Sequence, residues 1–415
     1  MIPPYESPPE REGPGRVRAS LLVMLALGVP LGLLSGCGDA GSAPGGTLEG
    51  VAVRLGPATL EDLTPIPQAE WVQLVTRLSE AGGFFDTDNL ISNETSYLHV
   101  LGPMREMGVE GGAYIGVGPD QNFSYMAQQR PHIAFIIDLR RDNLIHHLLL
   151  KALFHEAESR VEYLALLFGL QVPEDPSQWY DASVGEVLEY LDGVPGGAGS
   201  PQAEEALARV RERVETFGLD LGVEGWSTLI RFHQTFIEEG AGLRFTSYGR
   251  PTRPFYPTFR ELVTETDLEG EAGSYLARRD DFLFLKALQE ANRVVPVVGD
   301  LAGASALRSV GDEIRSRGLT VRVLYTSNVE YYLWGAATFP TFAATLAELP
   351  MDEHSVVIRS VFPNTANHPH TVPGFPSTQT LVPLETVRRV VRGTGYRGYQ
   401  DLVVRDAVDP RPGGA

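Results

Sequence analysis

Two glycines and an asparagine side chain follow a short apolar segment that we predict to be the first strand. Residues 112–116 run into the sequence Gly116-Val117-Gly118, and Asn122 follows shortly after. Glycine lets the backbone approach a ligand closely, and the N-terminus of a following helix adds positive potential. The loop therefore predicts a ligand contact by Gly116, Gly118 and Asn122. A turn that only joins a strand to a helix has the same glycine content, so that alternative stays open.

Carboxylate and amide side chains stand at the ends of three later apolar segments. These side chains are Asp138, Asp300 and Asn328. A carboxylate about 20 residues after a glycine loop is suited to bind ribose hydroxyls, which favours a ligand contact at Asp138. Structural alternatives stay open. Asp138 could form an ion pair with Arg140 or Arg141. Asp300 could cap the helix that follows it or stabilise a turn, and Asn328 could cap its following helix.

Other polar residues lack the spacing of a metal or nucleophile motif. The sequence His146, His147, His155 and Glu156 does not form an HExxH motif, so we predict no metal site and expect solvated or capping histidines here. No Gly-x-Ser-x-Gly motif occurs, and Cys37 is the single cysteine. The catalytic residue stays unassigned. The side chains that could orient an acceptor molecule are Glu94, Glu330 and Tyr125.

The elements that must position these residues alternate between strands and helices. Residues 132–138 form a continuous apolar run, which is typical of a strand buried on both faces of a parallel sheet. Further strands are predicted at 294–298, 320–325 and 355–358, with helices between them. The fold class is therefore α/β, with a Rossmann-like, doubly wound and mostly parallel sheet. Ligands bind outside the carboxyl ends of such strands, where all four polar positions fall.

A long helical stretch interrupts this alternation. An N-terminal helical segment is predicted at 51–110, and the first part of the Rossmann-like domain follows at 111–142. A helical insertion with an irregular segment is predicted at 143–270. The second part of the Rossmann-like domain, with a C-terminal extension, is predicted at 271–415. Within the insertion, residues 240–258 are rich in Gly, Pro, Arg and aromatic residues. A long irregular segment of this composition predicts a lid or rim beside a site.

The four strand ends, taken in order, resemble those of the class I S-adenosylmethionine-dependent methyltransferases. The resemblance implies that the glycine loop flanks the methionine portion of the cofactor and that Asp138 holds its ribose. It also implies that Asp300 lies near the adenine amino group and that Asn328 lines the cofactor or acceptor side. The resemblance covers roughly residues 110–142 and 290–360. Pro119-Asp120 departs from the small-residue continuation of the glycine loop, and the insertion is a second departure.

A wider pattern also looks like a family of uncharacterised bacterial proteins. It consists of Ser92-Asn93-Glu94 together with residues 115–123, 138–143 and 326–330. This second resemblance implies no function.

The first fifty residues have the composition of a secretory signal. Arg16 and Arg18 precede a nearly uncharged apolar run, which is followed by Leu34-Ser35-Gly36-Cys37. This ending resembles the lipobox of bacterial lipoproteins, which implies that residues 1–36 are removed and that Cys37 carries a lipid. Residues 37–50 have the composition of a flexible tether. An uncleaved signal anchor is the alternative.

Charge and location separate the function classes. The chain has 34 Lys and Arg against 53 Asp and Glu, a net charge of −19, which excludes nucleic acid as a partner because binding it needs basic residues. One hypothesis is a lipoprotein of the cell envelope, anchored to the inner or outer membrane, whose domain binds a small nucleoside-type ligand or serves as a structural module. The alternative is an active methyltransferase that uses S-adenosylmethionine. The first is favoured, since this methyl donor is made in the cytoplasm.

Overall fold

The structure is a computed structural model that describes residues 56–413. The predicted signal peptide, Cys37 and the tether lie outside the described residues. No helix in the described part of the chain is long and apolar enough to cross a bilayer.

One six-stranded sheet organises the fold. Its strands, in chain order, are β1 (Ala113–Gly116), β2 (Ile133–Asp138), β3 (Val294–Val298), β4 (Val321–Ser327), β5 (Val356–Val361) and β6 (Thr378–Pro383). Their order in the sheet is β3-β2-β1-β4-β5-β6. The first five are parallel, and β6 pairs with β5 in the antiparallel direction. This confirms the predicted α/β class with a mostly parallel, Rossmann-like sheet.

Burial explains why the five parallel strands were visible in the sequence. Every residue of β1, β3 and β5 is buried, as expected for strands covered on both faces. Strand order reverses between β1 and β4, so the connections that leave their carboxyl ends run to opposite sides and leave a crevice at that point. The fold therefore provides a site where the sequence placed its polar residues.

Fifteen helices of the described chain surround the sheet. They are α1 (Gln68–Leu78), α2 (Leu101–Glu106), α3 (Gln121–Gln129), α4 (Arg141–Glu156), α5 (Arg160–Leu167), α6 (Val184–Leu191), α7 (Pro201–Glu215), α8 (Gly222–Glu239), α9 (Phe259–Thr264), α10 (Arg279–Glu290), α11 (Ala306–Ser316), α12 (Val329–Gly335), α13 (Phe339–Ala347), α14 (Leu384–Arg392) and α15 (Tyr399–Val404). Helices α4 to α10 all lie between β2 and β3 in the chain, so a long helical stretch does interrupt the alternation.

Helix α4 connects the sheet to this helical stretch. It packs on β2 and β3 on one side and on α7 and α8 on the other. All residues from Asn143 to Phe154 are consequently buried. The expectation of a solvated His147 is therefore wrong, because a helix between two layers has no solvated face.

The irregular segment 240–258 forms a rim above the carboxyl ends of the strands. After a single 3-10 turn at Gly240–Gly242 it contains only isolated bridges, such as Arg244 with Thr258. The backbone amide of Tyr248 donates to the carbonyl oxygen of Asp86 at 2.8 Å. This bond ties the rim to the segment that precedes α2, and both segments reach the site.

Candidate ligand-binding site

A cavity of about 330 Å³ opens at the carboxyl ends of β1 to β4. Four of the residues predicted from sequence line it: Gly118, Asp138, Asp300 and Asn328. The segment from Phe85 to Glu94 and Phe245 of the rim supply other parts of the wall. Its volume lies at the lower end of the range of small-molecule sites, which is about 300–1,000 Å³. The sheet thus brings together residues that are more than two hundred positions apart in the sequence.

Gly118 forms the floor of the cavity on the β1 side. Its φ angle is +78°, a left-handed conformation that strains other residue types, and an added Cβ would lie 3.2 Å from the side-chain nitrogen of Asn89. Its carbonyl oxygen accepts hydrogen bonds from Nδ2 of Asn143 at 3.0 Å and from Nε2 of His147 at 2.9 Å. Helix α4 therefore fixes the loop from below and leaves its upper face to the cavity.

Gly116 and Asn122 shape the loop and do not lie among the residues that line the cavity. Asn122 donates from Nδ2 to the carbonyl oxygens of Val117 and Pro119, at 2.8 and 2.6 Å. Its Oδ1 accepts from the Tyr114 hydroxyl at 2.7 Å. An added Cβ on Gly116 would lie only 2.0 Å from that Oδ1 atom. Glycine is required here by the buried amide, which favours the structural interpretation of this position.

Asp138 is both an ion-pair partner and a wall of the cavity. Its Oδ1 accepts from the amide and Nε of Arg140 at 2.9 and 3.1 Å, and its Oδ2 accepts from Nη2 at 3.0 Å. Nη1 of Arg140 donates to the carbonyl oxygens of Thr87 and Asp88, each at 2.7 Å. A carboxylate has about four acceptor positions, so Oδ2 keeps one for a ligand hydroxyl. The ion pair with Arg140 and a hydrogen bond to a ligand are therefore compatible at Asp138.

Asp300 does not cap α11, because Glu80 occupies that role. The Glu80 carboxylate accepts from the amides of Ser305 and Ala306 at 2.9 and 3.3 Å, at the start of the helix. Asp300 uses Oδ1 to accept from the amide of Ala302 at 2.8 Å, a local turn contact. Asp300 also lines the cavity, at the carboxyl end of β3.

Asn328 stands at the N-cap position of α12, yet its side chain makes no capping hydrogen bond. It lines the cavity next to Ser327, whose φ angle of +51° is left-handed. A non-glycine residue in this region costs about 1–2 kcal/mol of conformational energy. The sharp turn directs the end of β4 toward the cavity wall.

Glu94 is a buried carboxylate on the cavity wall with only neutral partners. It is 2% exposed. Its Oε2 accepts from the Tyr325 hydroxyl at 2.7 Å and from Nε2 of Gln379 at 3.1 Å, and its Oε1 accepts from the Ser327 hydroxyl. No Lys, Arg or His in residues 56–413 forms an ion pair with it. Burying an unpaired carboxylate is costly, so this site favours a cationic or donor-rich ligand.

Gln121 adds an unsatisfied acceptor to the same wall. It is 6% exposed and donates from Nε2 to the Tyr325 hydroxyl at 2.9 Å. Its Oε1 atom has no hydrogen-bond partner within the described residues. Leaving a buried acceptor unpaired costs about 1–3 kcal/mol. Sequence reasoning missed this residue, since a single glutamine at a helix start carries no distinguishing pattern.

The other side chains considered as acceptor-orienting lie away from the cavity. Glu330 forms a buried ion pair with Arg359, and these side chains are 2% and 1% exposed. The Tyr125 hydroxyl donates to the carbonyl oxygen of Tyr97 at 2.9 Å and is not part of the cavity lining. Of the three, the structure brings only Glu94 to the site.

Neutral histidines support the loop from within α4. Burial lowers the pKa of His147 to about 4, although its hydrogen bond to the Gly118 carbonyl opposes that shift. Burial also lowers the pKa of His146, which packs between Phe232 and Phe236. No group of three or more His, Cys, Asp or Glu residues in the described chain is arranged to hold a metal ion.

A family model described as "Domain of unknown function (DUF7790)" matches residues 90–171 and 233–387. The two segments contain all six strands, Glu94 and most of the cavity wall. The unmatched residues between them, 172–232, hold α6, α7 and the first half of α8. A search of curated proteins finds no match to the chain.

Proposed function

We propose that the chain, which belongs to the DUF7790 family, is a lipid-anchored protein of the cell envelope that binds a small nucleoside-type ligand. The observation that carries the binding proposal is the open cavity at the switch point of the sheet, with Asp138 on its wall. A plugged cavity would have favoured a purely structural module.

The polarity of the cavity wall indicates what kind of ligand it takes. Three carboxylates, those of Glu94, Asp138 and Asp300, are among its lining residues. A nucleoside offers matching donors in its ribose hydroxyls and exocyclic amino group. The apolar side chains of Ile137 and Leu301 supply surface for a flat base. Arg140, a basic residue of the same wall, is already paired with Asp138.

Attachment to the envelope is the second part of the proposal and rests on the sequence of residues 16–37. The net charge of −19 repels anionic lipid, so a covalent lipid on Cys37 would have to supply the membrane affinity. Labelling of cells with a palmitate analogue tests this part by itself. We expect label on the full chain and none on the Cys37→Ala variant, and an unlabelled full chain would reject the anchor.

Calorimetric titration of the full chain in detergent tests the ligand. Adenosine, S-adenosylmethionine and S-adenosylhomocysteine are the probes, and we expect micromolar binding of at least one. The Asp138→Asn variant keeps the shape of the side chain and loses its charge, so binding should fall at least about tenfold. Asp312→Asn, an exposed acid paired with Arg315 on α11, is the matched control and should bind normally. Equal affinities in all three proteins would overturn the proposal.

Methyl transfer is a second candidate, favoured by the position of Glu94. S-adenosylmethionine, when bound, supplies an electrophilic methyl group. The Glu94 carboxylate is buried on the cavity wall and paired only with neutral donors, so it could accept the proton of an acceptor molecule. Release of S-adenosylhomocysteine on incubation with cell-envelope extract, lost in Glu94→Gln, would support this candidate. Binding without turnover would favour the binding role.

A further inference from the structure

A groove of about 340 Å³ lies beside the cavity. We call it the rim groove; its walls come from rim residues 245–256, from Tyr331 and Tyr332 of α12, and from residues 362–365 after β5. The groove and the cavity share lining residues, which are Phe85, Thr87, Asn93, Phe245, Asn328 and Tyr332. A molecule in the groove would therefore touch the mouth of the cavity.

We propose that the rim groove is a second ligand site, which binds a small anionic molecule with a flat apolar body. Its acidic group would contact Arg253, and its apolar part would lie against the aromatic side chains. The proposal goes beyond the nucleoside-type ligand in the cavity and does not depend on that ligand's identity.

Arg253 is the uncompensated cation of this groove. Its side chain is exposed, and it forms no ion pair with any residue that the structure describes. The Cζ atom of Arg253 lies 5.7 Å from the ring centre of Phe255 and 6.0 Å from the ring centre of Tyr256. Arg250, the other arginine of the groove, is paired with Asp86. In a chain with a net charge of −19, a free guanidinium in a concavity favours an anion there.

The apolar walls are exposed aromatic side chains. Phe255, Tyr331 and Tyr332 are 52%, 38% and 45% exposed, and they are among the few large hydrophobic side chains that the described chain leaves in solvent. Exposed aromatic surface gathered in one place is typical of a binding site. Nearby rings hold these side chains in place: Tyr332 contacts Phe85 edge-on at 5.1 Å, and Tyr331 contacts Tyr399 at 5.3 Å. The groove is thus preformed.

Aromatic residues and an arginine also occur where proteins rest on a membrane surface. The shape of the site favours a small molecule instead, because the aromatic rings line a concavity that leads into the cavity. A flat bilayer surface could not reach the shared residues Asn93 and Asn328. Membrane contact is therefore an outcome that the test must be able to reveal.

Fluorescence titration with two matched dyes tests the groove. The protein is the full chain with Cys37→Ala, which has no lipid attachment point. The dyes are 8-anilinonaphthalene-1-sulfonate, which is anionic, and N-phenyl-1-naphthylamine, which has the same rings without the charge. We expect Arg253→Gln to weaken binding of the anionic dye roughly fivefold and to leave the neutral dye unchanged. Phe255→Ser should weaken both dyes.

Controls separate this proposal from the proposed function and from membrane contact. Arg389→Gln removes an exposed arginine of α14 whose side chain bonds to Thr386 alone among residues 56–413, and it should change the binding of neither dye. Arg253→Gln should leave calorimetric binding of the nucleoside-type probes in the cavity unchanged, so a failure of either proposal is seen separately. An anionic dye insensitive to Arg253→Gln would overturn the inference. So would sedimentation with phosphatidylcholine vesicles that Phe255→Ser abolishes, since the rings would then be a membrane contact.

Discussion

The hydroxyl of Tyr325, in β4, donates to Oε2 of Glu94 at 2.7 Å, beneath the cavity wall. Tyr325 is fully buried, and burial together with the nearby Glu94 carboxylate raises the pKa of its hydroxyl. The tyrosine is therefore a permanent donor at physiological pH. It fixes the carboxylate while leaving the carboxylate's charge unneutralised.

Glu94→Gln tests what that charge does. The amide oxygen can still accept from Tyr325, so we expect the free energy of unfolding to change by no more than about 1 kcal/mol. A ligand whose cationic or donor group meets the carboxylate should bind about tenfold more weakly. Thermal denaturation and calorimetric titration measure the two effects. A large loss of stability with unaltered affinity would make Glu94 a structural residue only.

Glu330→Ala should have the opposite profile, although Glu330 is also a buried acid near the end of β4. It leaves Arg359 buried without its partner, and breaking such a pair costs about 3–5 kcal/mol. Denaturant unfolding of Glu330→Ala and of Glu385→Ala, a half-buried acid paired with Arg388 on α14, gives the comparison. We expect at most about 1 kcal/mol for the second variant. Similar losses in both would contradict this interpretation of the buried pair.

The two glycines of the first loop should differ in what they contribute. Gly116→Ala places a Cβ 2.0 Å from a buried amide oxygen, so we expect a loss above about 2 kcal/mol and poor folding. Gly118→Ala forces a left-handed φ on alanine, which costs about 1–2 kcal/mol and narrows the cavity. Only the second should therefore weaken ligand binding in the folded fraction. Gly335→Ala is the control, because an added Cβ there meets nothing within 4 Å.

Local patterns predicted the parts of the site that lie at strand ends. Apolar runs revealed β2 and β3, and the polar residues Asp138 and Asp300 follow them directly on the cavity wall. Parallel strands are buried on both faces, so their hydrophobicity is continuous and easy to see. Strand β6 was missed because its buried residues Thr378, Gln379 and Thr380 are polar.

Contacts between distant segments explain the remaining gaps. Gln379 is buried because it donates to Glu94, a residue far earlier in the chain. The capping of α11 by Glu80 joins residues 225 positions apart, so Asp300 was the local candidate for that role. The segment from Phe85 to Asn89 lines the cavity although no periodicity marks it. Such relationships arise from the three-dimensional path of the chain and leave no local signal.

Acid should destabilise the fold through its buried histidines, which is the last prediction. Burial lowers the pKa of His147 and of His233 from the ordinary 6.5 to about 4. Between these values the unfolded chain binds more protons than the folded chain, so stability is fully present above pH 6.5 and is lost as the pH falls toward 4. The combined loss is on the order of a few kcal/mol.

Asp120 opposes this trend in part. Burial raises its pKa to about 6, so below that pH the folded chain takes up a proton that the unfolded chain binds only near pH 4. The effect of the two histidines on stability is larger than that of one carboxyl group. The free energy of unfolding should therefore still rise with pH between about pH 4.5 and pH 6.5. Denaturant unfolding across this range measures the slope, and His147→Gln should make it shallower. A slope that does not change in this variant would mean that His147 is charged in the folded protein, contrary to its burial within α4.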